Sequence, residues 1–163
     1  MVKSSESSSF METNFSKMKK LFETNSDWTG LITRLTIGII LFPHGAQKML
    51  GWFGGYGFSG TMGFFTGALH LPWMVGLMVI LIEFIGSISL IAGFASRFWA
   101  SLIIVLMVGI IITSHVGNGF FMNWLGNQKG EGFEYHLLVI GLALSGVLIG
   151  SGRFSMDRLL MRK

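Results

Sequence analysis

Cysteine is absent from the 163 residues. Without a thiol, the chain itself carries no disulfide, no thiolate metal site and no dithiol redox pair. Charge is also scarce. Asp, Glu, Lys and Arg together make up 12% of the residues, against roughly 25% in a soluble globular domain. No Walker, Gly-x-Ser-x-Gly or His-Glu-x-x-His pattern is present, so the chemistries those spacings serve have no foothold. Gly54-Gly55-Tyr56-Gly57 is rich in glycine, but no strand precedes it, and no phosphate site is assigned to it.

What is abundant is apolar surface. Hydrophobic residues reach 51%, and there are 23 glycines. Four apolar runs stand out: Thr29–Leu50, Pro72–Phe94, Arg97–Val116 and Tyr135–Gly150. Each is near the ~20 residues that cross a ~30 Å hydrocarbon layer. A helix of a soluble bundle shows a polar face every third or fourth residue, and Leu102–Thr113 has none. The expected fold is therefore all-α, a polytopic membrane protein with a bundle of four transmembrane helices. Asp27 or Ser26 is placed to cap the first helix. Small residues in the runs, Gly86 and Gly93 in the second and the pairs Gly141/Ser145 and Gly146/Gly150 in the fourth, read as notches for close helix packing.

Residues 29–152 are expected to form the membrane domain, after an N-terminal tail of residues 1–28. In that tail Met11, Phe15, Met18 and Phe22 recur at helical spacing among Lys17, Lys19 and Lys20. This pattern reads as a short amphipathic helix on an anionic membrane surface or as a frayed basic tail. Residues 153–163 read as a basic cytoplasmic tail. The net charge of +4 does not point to nucleic acid, because the basic residues flank the apolar runs instead of forming a stripe. Ten Lys and Arg fall on one side of the four runs, whereas only Lys48 and Lys129 fall on the other. The asymmetry puts both termini in the cytoplasm. The segment Gly51–Leu71, glycine interleaved with aromatics, is then an outer interfacial stretch with a short helix near Thr61–Leu69.

Polar groups at membrane depth usually face a bundle interior or a cavity. His44 and Lys48 are four apart and share a helix face with Gln47 beside them. Counting ~1.5 Å per residue puts His44 about 20 Å from the cytoplasmic edge and Glu83 near mid-membrane. His115 and Glu134 lie toward the outer surface. These residues predict a polar pocket in the outer half, with His44, Lys48, Glu83, His115 and Glu134 as its polar lining and Gln47, Trp52 and Phe53 as its wall. The bland alternative is a buried ion pair of Glu83 with His44 or Lys48 that fixes helix register. His115 and His136 on consecutive runs could hold a haem, and with Glu134 a zinc ion. Their position near the interface and the two-residue spacing of Glu134 and His136 count against both, and no metal site is assigned.

An ordered set of motifs resembles the DoxX family of small bacterial membrane proteins. It comprises His44-Gly45 with Gln47-Lys48, Gly51-Trp52-Phe53-Gly54-Gly55, Gly60-Thr61 and Gly63-Phe64-Phe65. It continues with Glu83 and Gly86, Gly93 and Arg97, His115 with Asn118-Gly119-Phe120-Phe121, Glu134-Tyr135, and the closing Gly150-Ser151-Gly152-Arg153-Phe154-Ser155-Met156-Asp157. The resemblance implies a four-helix inner-membrane protein serving as an oxidoreductase or redox-complex subunit. It brings in a quinone as the candidate cofactor and other redox subunits as candidate partners beside the lipid bilayer. It transfers no catalytic residues, and the missing cysteine argues against a thiol-based role. Two other functions stay open on sequence: a non-enzymatic membrane scaffold, and a small-solute or proton carrier, which the lack of inverted repeats disfavours.

Overall fold

The computed structural model describes residues 22–24 and 26–161. The amphipathic pattern of residues 11–22 lies almost wholly outside these, as do Arg162 and Lys163. Among the described residues there is no strand. The residues from 28 to 161 form six helices beside a short 3-10 turn at Trp52–Gly54: α1 Trp28–Leu50, α2 Gly57–Gly63 continuing through Phe64–Ala68, α3 Trp73–Ala92, α4 Ser96–Asn118, α5 Glu134–Ile149 and α6 Met156–Met161. Every apolar run of the sequence became one of the four long helices, with ends displaced by one or two residues.

Local chemistry accounts for the ends. Asp27 caps α1, its carboxylate accepting from Gly30 N at 2.7 Å. At the other end Gly51 adopts φ +74 and closes α1 with a bond from its N–H to the Ala46 carbonyl, a left-handed turn that glycine makes without steric cost. The helix runs unbroken through Pro43. Two of the helices, α3 and α4, are long and apolar enough to cross a membrane. The α5 helix is apolar but shorter at 16 residues. The polar residues of α1, Arg34 and Lys48 among them, dilute its hydropathy.

One core runs through all four long helices: Ile37 and Leu41 of α1, Leu90 of α3, Ile103 and Met107 of α4, and Ala143 of α5 are buried together. A second, smaller core of Met62, Phe65 and Ile80 seats α2 against the start of α3. The packing notches differ in kind. A Cβ on Gly45 would lie 2.6 Å from the backbone of Glu83 and Phe84, so α1 and α3 touch main chain to main chain there. Gly141, read from the sequence as a notch, instead faces open space with nothing within 4 Å.

The bundle has two unlike ends. At the hairpin end the connection from α3 to α4 spans only residues 93–95, and the C-terminal segment folds over it. Asp157 is buried and accepts from Ala95 N at 2.7 Å and Ser96 N at 3.1 Å, at the start of α4. It also takes the Ser151 hydroxyl. Arg34 is 3% exposed. Its guanidinium donates to the carbonyls of Leu90, Ile91, Ser151, Arg153 and Phe154. The sequence reading treats residues from 153 as a tail and Arg34 as a charge that orients the chain. In the structure residues 153–157 are part of the packed end, and Arg34 is its tie. A guanidinium satisfies five carbonyls because it offers five donors in a fixed fork.

The opposite, loop end holds residues 51–72 and 119–133. Here the halves of the hairpin part. The Ile82–Ala92 portion of α3 packs on both α1 and α4, whereas Trp73–Leu81 packs on α2 and more lightly on α1.

Candidate functional site

The gap left by that parting is an apolar cavity of about 560 Å³. Its walls come from α2, α3 and α4, with Lys48 of α1 reaching in. Phe65, Val79, Leu106 and Ile110 are typical of the lining, and Lys48, Glu83 and His115 are its charged and titratable members. Several lining residues also face outward from the bundle, among them Met78 at 45% exposed and Val105 at 69%. The mouth therefore opens sideways between the apolar faces of α3 and α4.

Three stretches of the backbone, Phe64–Ala68, Ile82–Gly86 and Ile111–His115, are each a single π-helical turn. All three contribute lining to the cavity, through Phe64 and Phe65, Ile82 and Glu83, and Thr113 to His115. A π turn inserts one extra residue, weakens the local ladder and re-aims the side chains beyond it, and such turns are frequent at functional sites. Glu83 and His115 both sit within one.

The pair at the centre is tight. Lys48 Nζ lies 2.6 Å from Glu83 Oε2, the lysine side chain 25% exposed and the glutamate 4%. The contact depends on Gly45, which lets the α3 backbone at Glu83 come up against α1 one turn before Lys48. A carboxylate so buried needs a partner charge, since leaving it unpaired costs several kcal/mol.

His115, also picked out from the sequence, lines the cavity with this pair, and the other residues picked out lie elsewhere. His44 is exposed and does not line the cavity. Its ring stands 6.4 Å from that of Tyr135, and it remains in electrostatic range of both Lys48 and Glu83. Glu134 also lies outside the cavity lining. Its carboxylate accepts from Met122 N at 2.9 Å and so holds the 119–133 loop. Trp52 and Phe53 are exposed at 53% and 63% and wall neither pocket. Gln47 donates to the Phe53 carbonyl at 3.1 Å and lines a second, smaller pocket with Lys48.

Tyr135 and His136, which the sequence reading did not assign to the pocket, stand beside it next to His115. His115 is oriented by a 2.7 Å contact between its Nδ1 and the Glu131 carbonyl, and its ring lies 4.4 Å from that of His136. His136 Nδ1 and the Tyr135 hydroxyl are buried, and neither has a hydrogen-bond partner among the described residues. Tyr135 is in electrostatic range of Glu83. The adjacent Glu134-Tyr135-His136 at the mouth of an apolar run was the only signal for them. Among the described residues no three His, Asp or Glu side chains gather closely enough to hold a metal ion, so the haem and zinc readings have only the His115–His136 pair to rest on.

The arrangement offers a ligand an apolar slot, a cationic donor at its inner wall, and a histidine on another wall. Comparison with known proteins adds an independent line. The family model DoxX matches residues 30–116. A Bacillus subtilis (strain 168) protein named "Putative oxidoreductase CatD" is 34% identical over 131 residues, covering 79% of this chain and 84% of that protein. No solved structure matches the chain significantly.

Proposed function

The chain belongs to the DoxX family, and from that premise we propose that it is an integral inner-membrane subunit of a redox complex, with a lipophilic, quinone-like ligand in the cavity beside the Lys48–Glu83 pair. All four long helices cross the bilayer in this reading. At ~1.5 Å per residue the 23 residues of α1 reach about 34 Å, and its polar groups are matched within the protein, Arg34 by carbonyls and Lys48 by Glu83. The 16 residues of α5 reach only about 24 Å, a shortfall that local thinning or flanking residues absorb. The hairpin end, with Arg34, Arg97, Arg153 and Arg158, faces the cytoplasm, and the loop end faces outward.

The observation that carries the proposal is the convergence of three π turns on one apolar cavity that ends at a buried ion pair. A quinone asks for a flat apolar slot with a donor at one or both carbonyls, and Lys48 is positioned to supply one. A lateral mouth suits a ligand that travels in the bilayer. The test is to purify the protein in mild detergent with its native lipids and extract bound quinones. The expected result is near-stoichiometric quinone with wild type and at least a tenfold loss in Lys48→Met. No quinone in the extract, together with no saturable binding of added quinone, refutes it.

A second reading, a scaffold that docks a partner, is favoured by the 119–133 loop, where Trp124 and Leu125 are 84% and 85% exposed. Loss of a co-purifying partner in Trp124→Ser with quinone content unchanged would support it.

A further inference from the structure

Lys48 lines two pockets. Besides the apolar cavity it borders a pocket of about 260 Å³ at the loop end, formed with Gln47, Gly54, Gly55, Tyr56 and Thr61. Phe64 and Phe65 line both pockets as well, so these two rings and the lysine stem form the partition. The two chambers differ in character. The larger is walled almost wholly by apolar side chains and contains Glu83. The smaller mixes an amide, a hydroxyl, a phenol and glycine backbone, and contains no carboxylate. Tyr56 at its rim is 86% exposed, so it opens to the surface of the loop end and not between helices. The lysine side chain is 25% exposed and borders both spaces, whereas Glu83 lines only the larger one.

We propose that the smaller pocket is an aqueous inlet, making this a site with two entrances: a lipophilic ligand arrives sideways through the cavity, and protons arrive from water at the loop end through Lys48. The transfer balances simply. An N–H bond of the Lys48 ammonium breaks as an O–H bond forms on Glu83 Oε2, 2.6 Å away, and the neutral amine takes a proton from a hydronium ion in the inlet, which is left as water. Run backward, the same steps return the proton to water. The stem of Lys48 and the rings of Phe64 and Phe65 keep bulk water out of the apolar chamber while Nζ remains accessible from both.

The inlet rests on the site described above but not on the identity of its ligand, and its test uses none. Because the chain has no cysteine, each introduced thiol is the only one. Lys48→Cys, Thr61→Cys and Gly109→Cys are placed in lipid nanodiscs, where both faces are wet and topology does not matter. Each is treated with a quaternary-ammonium methanethiosulfonate, which is confined to water, and with N-phenylmaleimide, which enters lipid. Gly109 lines only the apolar chamber and has open space for a Cβ. Lys48→Cys and Thr61→Cys should react with the charged reagent at least about tenfold faster than Gly109→Cys, which should prefer the maleimide, because charge is expelled from apolar surroundings. Refusal of the charged reagent by both Lys48→Cys and Thr61→Cys, in monodisperse protein, overturns the inlet. Equal reaction at Gly109→Cys overturns the partition. Either result leaves the quinone extraction to stand or fall separately.

Discussion

The two halves of the Lys48–Glu83 pair should not be worth the same, and the inequality can be measured. Lys48→Met leaves a carboxylate that is 4% exposed and whose hydrogen-bonded counter-charge was that ammonium. Breaking a buried pair in this way costs roughly 3–5 kcal/mol. Glu83→Leu leaves instead a lysine that is already 25% exposed and borders an open pocket. Its long stem lets the ammonium swing toward water, so the cost should fall to about 1–2 kcal/mol, close to that of a surface-type rearrangement. The double variant Lys48→Met/Glu83→Leu removes both charges, and apolar replacement of a buried pair is near neutral or stabilising. For a chain of this size one kcal/mol moves Tm by roughly 2–4 °C. Thermal unfolding in one detergent should thus rank wild type and the double variant together, Glu83→Leu a few degrees lower and Lys48→Met lowest. A ranking with Glu83→Leu below Lys48→Met, or a double variant as unstable as the sum of the singles, would refute the claim that the carboxylate is the buried partner.

The glycines give a paired control. Gly45→Ala, whose Cβ would meet α3 backbone at 2.6 Å, should cost about 1–3 kcal/mol, whereas Gly141→Ala, with nothing within 4 Å, should stay within about 0.5 kcal/mol in the same unfolding assay. Arg34→Lys should lose about 2–4 kcal/mol, because three ammonium donors cannot replace a fork that serves five carbonyls; equal melting of the variant and wild type would refute that. Asp157→Ala should loosen the start of α4, and amide hydrogen exchange at Ala95 and Ser96 should rise by more than tenfold while that of Ile103 is unchanged. A reporter fused after Lys163 that is active only outside the cytoplasm should stay silent if the hairpin end faces the cytoplasm.

How far the sequence could be read depended on whether a feature leaves a trace in composition. The long helices do, because a segment of twenty apolar residues has few other uses, and residue type narrowed the cap of α1 to Asp27 or Ser26, of which the fold uses Asp27. The position of Glu83 near the middle of its run was legible for the same reason, with its partner left open between His44 and Lys48. The π turns leave no such trace, since one extra residue per turn changes neither hydropathy nor spacing enough to see. His44 illustrates a second limit. Four residues make 400° on a helix, so His44 and Lys48 are offset by about 40°; at the edge of a contact that is enough to put one side chain in a cavity and the other outside. Arg34, Asp157 and Glu134 show a third. A charge near a helix end reads as topology or solvation, and only the fold reveals that these three are spent on backbone groups of distant segments.

A chamber that opens between two apolar helix faces draws its ligand from whatever phase bathes those faces. The concentration that matters is then moles of ligand per mole of lipid, not per litre of solution. Adding empty vesicles or detergent to a fixed amount of ligand would dilute the site's surroundings and weaken apparent binding without touching the protein. Two ligands with identical contacts to Lys48 would differ in apparent affinity by their partition coefficients alone. A slow off-rate could equally reflect escape along the bilayer plane, set by the viscosity of the lipid at that depth. Constants for this protein will be comparable between laboratories only when quoted per unit of membrane.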